Sequence, residues 1–328
     1  MTSRILVAGG AGYIGSHACK ALAEAGFTPV VLDNLSSGHR EAVQWGPLVE
    51  ADLGDQDSLA RILQAEKVDA VMQFAASIEV GESVKDPGKY YANNVTNSIN
   101  LLNAMGKVGL DKIVFSSTAA TYGVPQSDLI DESHPQSPIN PYGETKLAVE
   151  RALHWFEQAG KLRYAALRYF NAAGADPDGK IGEAHDPETH LIPLVIQATL
   201  GNRPPLKVFG TDYDTRDGTA IRDFIHVADL AEAHVAALKR LLDGGASLRA
   251  NLGTGEGYSV REVLSISGKV AGSDVPHEEA ERREGDPQVL VANPGLAMSE
   301  LGWKPALSDL ETIVETALRW HSKPRFSG

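Results

Sequence analysis

Near its start the chain reads Gly9-Gly10-Ala11-Gly12-Tyr13-Ile14-Gly15, directly after the apolar run Arg4-Ile5-Leu6-Val7-Ala8. The run predicts a buried strand, and the spacing of Ile14, Ala18 and Leu22 predicts a helix behind the glycines. The glycines satisfy G-x-G-x-x-G in the context that the motif requires, between a strand and a helix. Such a turn lets the backbone approach a pyrophosphate, whose charge then lies at the helix N-terminus. The stretch therefore predicts a dinucleotide-binding turn.

The end of the next predicted strand, Thr28 to Leu32, supports this interpretation. Asp33 follows it, about 20 residues beyond the glycines, where a carboxylate accepts a hydrogen bond from a ribose hydroxyl. Such a carboxylate repels a 2′-phosphate, so NAD is favoured over NADP. Asp52 and Leu53 follow a third strand, Leu48 to Glu50, and we expect them beside the adenine. The alternative is a glycine turn that only packs a helix close to a sheet.

Apolar runs alternate with helical periodicity through the first half of the chain, which is typical of a parallel sheet flanked by helices. We expect an α/β fold, a doubly wound parallel sheet (Rossmann), with a smaller C-terminal α/β substrate lobe. The NAD-binding domain is predicted at 1–170 and the substrate lobe at 171–328, with segments near 221–245 returning to the first domain. Further strands are predicted at 70–74, 112–116 and 164–169, and further helices at 90–108, 142–158, 191–200, 229–242, 260–270 and 309–321.

Composition excludes several classes of function. The chain has 328 residues, with 30 Lys+Arg and 43 Asp+Glu and a formal net charge of −13, so its surface repels nucleic acid and anionic lipid. Cys19 is the single cysteine, and no signal-peptide core or membrane-length apolar run is present. We therefore expect a cytoplasmic protein.

Tyr142 and Lys146 are four residues apart near the start of a predicted helix, so their side chains share one face. A tyrosine ionises near pH ~10, and positive charge from the lysine and an oxidised nicotinamide lowers that pKa toward the range of a general base. The strand at 112–116 runs out into Ser117 and Thr118, whose hydroxyls we expect at the ligand crevice. The alternative is an exposed tyrosine beside a solvated lysine.

Five further stretches carry a specific pattern. They are Val80-Gly81-Glu82-Ser83-Val84, Tyr90-Tyr91-Ala92-Asn93-Asn94-Val95, Asn140-Pro141-Tyr142-Gly143-Glu144-Thr145-Lys146, Arg168-Tyr169-Phe170-Asn171, and Gly210-Thr211-Asp212-Tyr213 continued by Asp217-Gly218-Thr219-Ala220-Ile221-Arg222-Asp223-Phe224-Ile225-His226-Val227. With them the chain resembles the extended short-chain dehydrogenase/reductases. Over nearly its full length it is similar to the NAD-dependent nucleotide-sugar epimerases of that family, the UDP-glucose 4-epimerases.

The resemblance implies an isomerase of galactose metabolism that interconverts UDP-glucose and UDP-galactose through a transient 4-keto sugar and bound NADH. It implies that Tyr142 takes the proton of the sugar 4-hydroxyl, that Lys146 binds the nicotinamide ribose, and that Thr118 hydrogen-bonds the reacting oxygen. The family is typically a homodimer. The wide apolar faces of the helices at 90–108 and 142–158 agree with this, although we expect Trp155 and Phe156 to point inward.

The resemblance also implies two sets of binding residues. Those for NAD are Gly9, Gly12, Tyr13, Ile14, Gly15, Asp33, Asn34, Ser37, Asp52, Leu53, Phe74, Ala75, Ala76, Asn93, Ser116, Tyr142, Lys146 and Tyr169. Those for the UDP-sugar are Thr118, Tyr142, Asn171, His190, Leu191, Lys207, Val208, Phe209, Arg222, Arg283, Asp286 and Leu290. Within the second set, Asn171, Arg222 and Arg283 match the diphosphate ligands and Asp286 matches the ribose ligand.

Three positions depart from the family pattern. Ile78 replaces a lysine near the cofactor phosphates, and His190 replaces an asparagine at the diphosphate. Leu290 replaces a tyrosine beside the sugar, which predicts a roomier pocket that admits an N-acetylated or other sugar. We expect no metal site, because His185 and His190 have no further partners at metal-ligand spacing.

Several alternatives stay open. A 4-epimerase that prefers a UDP-N-acetylhexosamine or a UDP-pentose fits the same motifs. A nucleotide-sugar dehydratase or decarboxylase places Asp or Glu directly after the hydroxyl at Thr118, whereas Ala119 and Ala120 stand there. A non-catalytic NAD-binding protein typically loses the tyrosine or the lysine, and this chain keeps both.

Overall fold

The computed structural model describes residues 2–283 and 285–326. Its strands are β1 (Arg4–Ala8), β2 (Thr28–Asp33), β3 (Leu48–Glu50), β4 (Ala70–Gln73), β5 (Lys112–Thr118), β6 (Leu129–Ile130), β7 (Arg163–Tyr169), β8 (Asn171–Ala173), β9 (Leu206–Phe209), β10 (Ile221–Arg222), β11 (Phe224–His226), β12 (Leu248–Leu252), β13 (Tyr258–Ser259), β14 (His277–Ala280) and β15 (Val289–Ala292). Its α-helices are α1 (Tyr13–Glu24), α2 (Gln56–Ala65), α3 (Val80–Lys85), α4 (Pro87–Tyr90), α5 (Asn97–Val108), α6 (Pro141–Gln158), α7 (Leu191–Thr199), α8 (Val227–Leu242), α9 (Val260–Ala271), α10 (Gly295–Leu301) and α11 (Leu310–Ser322).

The large sheet has seven strands in the order β12-β7-β5-β4-β1-β2-β3, and all of its strand pairs are parallel. Helices α1 and α8 cover one face, with Leu22 and Leu238 in the same core as the sheet residues. Helices α2, α5 and α6 cover the other face, where Leu59 and Leu101 are buried. Strands buried on both faces are continuously apolar, which is why the sequence shows runs rather than alternation. The predicted doubly wound parallel sheet is confirmed.

A second, smaller core lies in the later part of the chain, where α7, α9 and α11 pack together around Val195, Val263 and Ile313. Short strands surround it, including β8 paired with β11 and the four-stranded sheet β13-β10-β15-β6. From this region the chain returns to the large sheet through α8 and β12. The end of the large sheet and the short strands therefore lie side by side.

The inward face of α6 differs from the expectation. Trp155 is 69% exposed, so the prediction that it points inward is wrong. The buried stripe instead includes Lys146, Glu150 and Leu153, at helical spacing of four and three. Phe156, the other residue expected to point inward, does pack against the core on this side of the sheet. Two of the buried residues are charged, and a pattern built on apolar residues therefore does not include them.

The predicted helix at 90–108 consists of α4, a π-helical segment over Tyr91–Thr96, and α5. Such π-helical turns are frequent at functional sites. Among the described residues, none of the helices combines the length and the apolar character needed to traverse a lipid bilayer.

Candidate active site

The glycine turn connects β1 to α1 and is shaped by close backbone contacts. Gly9 has φ of +82°, and a Cβ on Gly15 would lie 2.1 Å from the carbonyl oxygen of Gly9. Gly12 is the N-cap of α1 and has no side chain with which to cap the first amides. The unshielded helix N-terminus fits the pyrophosphate of a dinucleotide.

Asp33 holds this turn in place. Its two carboxylate oxygens accept hydrogen bonds from the backbone N–H groups of Ala11 and Leu35, each at 2.9 Å. A carboxylate oxygen has more than one acceptor position, so these bonds leave room for a ribose hydroxyl.

The remaining predicted cofactor residues lie at the same edge of the sheet. Asn34 donates to Asp52 at 2.6 Å, which joins the ends of β2 and β3. Asn93, in the π-helical segment, donates to Ser77 at 2.9 Å, and Ser116 and Tyr169 share a hydrogen bond between β5 and β7. Leu53 is buried and Ser37 is exposed, while Phe74, Ala75 and Ala76 follow β4, with the amide of Ala75 donating to Ala8.

Tyr142 and Lys146 lie in the first two turns of α6, as predicted from their spacing. Asn140 caps the N-terminus of this helix, since its side chain accepts from the N–H of Gly143 at 2.9 Å. The Lys146 ammonium is buried and donates to the carbonyl of Ser116 at 2.9 Å. Tyr142 is half-buried, and its phenol lies beside the Thr118 hydroxyl at the end of β5. The structure thus brings the three predicted catalytic residues together.

The pKa values of Tyr142 and Lys146 show the effect of burial on the catalytic residues. Burial raises the pKa of Tyr142 to about 12, and the Thr118 hydroxyl opposes that shift. Burial also lowers the pKa of Lys146 to about 7, and the nearby Glu150 carboxylate opposes it. In the protein alone the pKa of Tyr142 is not lowered, because burial favours the neutral form of both groups; that the lysine and an oxidised nicotinamide lower it together stays a prediction.

A buried polar network below the catalytic residues was not anticipated. Glu150 accepts two hydrogen bonds from Arg168, at 2.9 and 2.6 Å, and a third from Ser117. Arg168 also donates to the Tyr122 hydroxyl at 2.8 Å. Because Glu150 lies one helical turn beyond Lys146, the i,i+4 spacing was the signal that could have identified it.

The predicted nucleotide ligands form two small groups in the later part of the chain. Arg222 and Asp286 are joined by an ion pair, and the guanidinium of Arg283 lies 4.0 Å from the centre of the Phe209 ring. Leu290 is paired with Arg222 across β10 and β15 and packs against the cluster formed by Ala119, Tyr122 and Ile130.

The other predicted substrate residues lie on separate elements. Asn171 donates to the backbone carbonyl of Asp223 at 2.8 Å, and Leu191 is the first residue of α7. On β9, Val208 is buried and Lys207 is exposed.

His190, the N-cap residue of α7, corrects a further expectation. Its imidazole lies with that of His185 beside two carboxylates, those of Glu183 and Glu188. The statement that the two histidines lack partners at metal-ligand spacing is therefore wrong. The partners come from a loop with no periodicity, in which charged residues are expected at the surface.

Comparisons with known proteins agree with this arrangement. Residues 5–253 match the NAD dependent epimerase/dehydratase family. The chain is 56% identical over 319 residues to a UDP-glucose 4-epimerase of Rhizobium leguminosarum bv. trifolii, and the match covers 97% of each chain. The crystal structure of a UDP-glucose 4-epimerase from Brucella ovis in complex with NAD has a TM-score of 0.95 and 52% identity, and covers 97% of this chain and 98% of that chain.

A UDP-glucose-4-epimerase from Stenotrophomonas maltophila, with bound NAD and formylated UDP-arabinopyranose, has a TM-score of 0.95 and 40% identity, and covers 98% of each chain. The resemblance noted from the motifs is thereby confirmed. The glycine turn, the Tyr142 and Lys146 pair and these matches together show that the chain belongs to the NAD dependent epimerase/dehydratase family and, within it, to the UDP-glucose 4-epimerases, which are NAD-dependent isomerases.

Proposed function

We propose that this chain interconverts UDP-glucose and UDP-galactose by inverting the configuration at C4 of the sugar. One observation carries the proposal: Tyr142, Lys146 and Thr118 meet at the end of β5, and Ala119 and Ala120 follow there. The hydroxyls of Tyr142 and Thr118, together with the amine of Lys146, can remove one proton from a substrate and return it. Without a carboxylate directly after Thr118, the additional acid/base steps of a dehydratase have no group to perform them.

The glycine turn and Asp33 would hold NAD, with the pyrophosphate at the N-terminus of α1 and the adenosine ribose at the carboxylate. Asp52 and Leu53 would border the adenine, and Lys146 the nicotinamide ribose. When bound, NAD supplies reversible hydride acceptance at the sugar carbon.

Tyr142 would take the proton of the 4-hydroxyl and later return it, while the Thr118 hydroxyl donates a hydrogen bond to the reacting oxygen. The 4-keto sugar must then turn about its link to the diphosphate so that its other face meets the cofactor. This requires firm anchoring of the nucleotide and loose contact with the sugar. Arg222, Arg283 and Asn171 suit the diphosphate, because guanidinium groups bind phosphate oxygens in pairs.

We also propose how the chain is organised. Residues 1–170 would bind NAD and residues 171–328 the UDP-sugar, with the segment near 221–245 belonging to the first part. Support comes from α8, which packs in the same core as α1. A homodimer through α5 and α6 is supported by the 69% exposure of Trp155. The single cysteine, Cys19, is buried and free, which suits a cytoplasmic location.

The decisive test replaces Tyr142 with phenylalanine. We expect Tyr142→Phe to lose epimerase activity by a factor of about 10²–10⁴, the usual contribution of a general acid–base, while it still binds NAD. Tyr91→Phe, which removes the hydroxyl of an exposed tyrosine, is the matched control and should keep full activity. Equal rates for Tyr142→Phe and the wild-type protein would refute the mechanism.

A second candidate, a 4-epimerase that prefers UDP-N-acetylhexosamines, is favoured by Leu290. An aliphatic side chain beside Ala119 leaves more space for a substituent than a tyrosine does. The test is to incubate the protein with UDP-hexoses, UDP-N-acetylhexosamines and UDP-pentoses and to separate the 4-epimers by chromatography. Turnover of UDP-N-acetylgalactosamine at background level would exclude this candidate.

A further inference from the structure

We propose that the loop before α7 binds one divalent transition-metal ion, with Zn²⁺ as the preferred ion. Four side chains would be its ligands: Glu183, His185, Glu188 and His190. The site shares His190 with the predicted UDP-sugar residues, and it is argued from the geometry, burial and charge of the four side chains.

The donor atoms of the four side chains already converge. One ligand atom from each lies within 4.8 Å of all the others. The Nδ1 atom of His190 is 2.8 Å from a Glu183 oxygen and 3.0 Å from a Glu188 oxygen, and the Nδ1 atom of His185 is 3.1 Å from Glu183. Ligand atoms around a tetrahedral zinc ion, with bonds of about 2.1 Å, are about 3.4 Å apart. Small side-chain shifts would therefore open the cluster around an ion.

The cluster places two buried carboxylates against two imidazoles. The side chains of Glu183 and Glu188 are only 3% and 5% exposed. Within residues 2–283 and 285–326, neither carboxylate forms an ion pair with a lysine or an arginine; their partners are the two imidazoles. Buried carboxylates need a compensating positive charge. Against the effect of burial, the carboxylates raise the pKa of both imidazoles, that of His190 to about 11, so protons on the histidines supply this charge in the protein alone. A divalent ion would displace these protons, balance the two carboxylates at once and take neutral imidazoles as its other ligands.

The surroundings hold the ligands in place. A carboxylate oxygen of Glu188 accepts from the backbone N–H groups of Thr189 and His190, at 2.7 and 2.8 Å. The indole of Trp320 donates to the backbone carbonyl of Glu183 at 2.8 Å, which ties the loop to α11. Such outer contacts orient ligands and raise metal affinity. The side chain of His190 is 44% exposed, which provides an entry path.

The chemistry of the donors selects the ion. Mg²⁺ and Ca²⁺ take oxygen ligands almost exclusively, whereas imidazole together with carboxylate suits Zn²⁺ and its first-row neighbours. The loop lies between the start of α1 and α11, since the ring of His185 is 6.1 Å from that of Tyr13 and Trp320 contacts Glu183. A bound ion would therefore fasten the loop to both helices.

The test uses the full chain after treatment with a chelator. We expect titration calorimetry with Zn²⁺ to show one ion bound per chain, and Co²⁺ in its place to give the strong visible absorption of a tetrahedral site. His185→Gln and Glu183→Gln should each weaken binding by a factor of at least about 10, the effect usual for loss of a supporting or direct contact. His277→Gln, an exposed histidine on β14, is the matched control and should bind as the wild type does.

X-ray absorption of the Zn²⁺-loaded wild-type protein needs no variant and should show two imidazoles in the first coordination shell. Absence of stoichiometric binding, unchanged affinity in both ligand variants, or a shell without two imidazoles would each overturn the proposal. None of these measurements uses a UDP-sugar, so failure of the metal site and failure of the proposed reaction are distinguishable.

Discussion

Lys146 shows how strongly one buried group depends on its surroundings. Its ammonium has the Ser116 carbonyl at 2.9 Å, the Phe115 ring centre at 5.1 Å and Glu150 one turn away. Burial nevertheless dominates and lowers the pKa of this lysine to about 7. The group therefore changes its charge near neutral pH, where a lysine at the surface would stay protonated.

This shift makes the stability of the protein depend on pH. An unfolded lysine has a pKa of about 10.4, so between about pH 7 and that value the unfolded chain binds more protons at Lys146 than the folded chain does. The free energy of unfolding then rises with pH, by up to about 1.4 kcal/mol per pH unit. We expect the wild type to gain stability relative to Lys146→Met from pH about 7 to about 9 in urea unfolding. Parallel pH profiles would contradict the assigned shift.

At the scale of single residues, the sequence indicated the groups that a motif defines. Tyr142, Lys146 and Thr118 lie together as their spacing and strand position indicated. Glu183 could not be found in this way, because an unpaired acid in a sequence is expected at the surface, and Glu150 is indicated only by its i,i+4 spacing to Lys146. Their burial depends on partners from distant segments, such as Arg168 for Glu150.

At the scale of the element, the turn between β1 and α1 contains two glycines with different roles. A Cβ on Gly15 would meet backbone atoms of Gly9 and Gly10 within 3 Å, whereas a Cβ on Gly12 meets only the Gly9 oxygen, at 3.4 Å. Gly15 is needed for packing of the helix on the turn. Gly12 keeps open the surface that a pyrophosphate approaches.

We therefore expect Gly12→Ala and Gly15→Ala to fail differently. Gly12→Ala should lose about 1 kcal/mol of stability or less, in the range of N-cap changes, but should retain little NAD. Gly15→Ala should lose about 1–3 kcal/mol or more, as overpacked sites do. Thermal unfolding and the nicotinamide content of the purified proteins measure the two effects. Full NAD content in Gly12→Ala would contradict the role given to this turn.

The strands and helices themselves were predictable where the apolar pattern is uniform. β1 has the predicted bounds, and α6 begins within one residue of the prediction. The short strands β8 to β11 were not predicted, because strands of two to four residues outside the regular alternation of strands and helices carry no period that identifies them. On α6 the prediction was wrong at Trp155, and the apolar pattern could not indicate that the charged residues Lys146 and Glu150 lie on the buried side.

At the scale of the whole molecule, Trp155 stands out on the surface. An indole that is 69% exposed on α6 is costly in water and suits a contact with a second copy of the chain. We expect Trp155→Glu to convert the proposed dimer to a monomer, measured by light scattering after gel filtration. Leu200→Glu, at another exposed apolar position, is the control and should leave the mass unchanged. A wild-type protein that is already monomeric would refute the proposed interface.

The return of α8 and β12 to the large sheet has a consequence for synthesis of the protein on the ribosome. Strand β7 ends at Tyr169, but its neighbour β12 ends only at Leu252, and α8 covers a face that includes residues of the first quarter of the chain, such as Ile5 and Leu22. Until these late segments emerge, the nascent chain has an uncovered apolar surface and an unpaired edge, both of which invite aggregation. The nucleotide-binding half therefore cannot complete its folding before the substrate-binding half is largely translated.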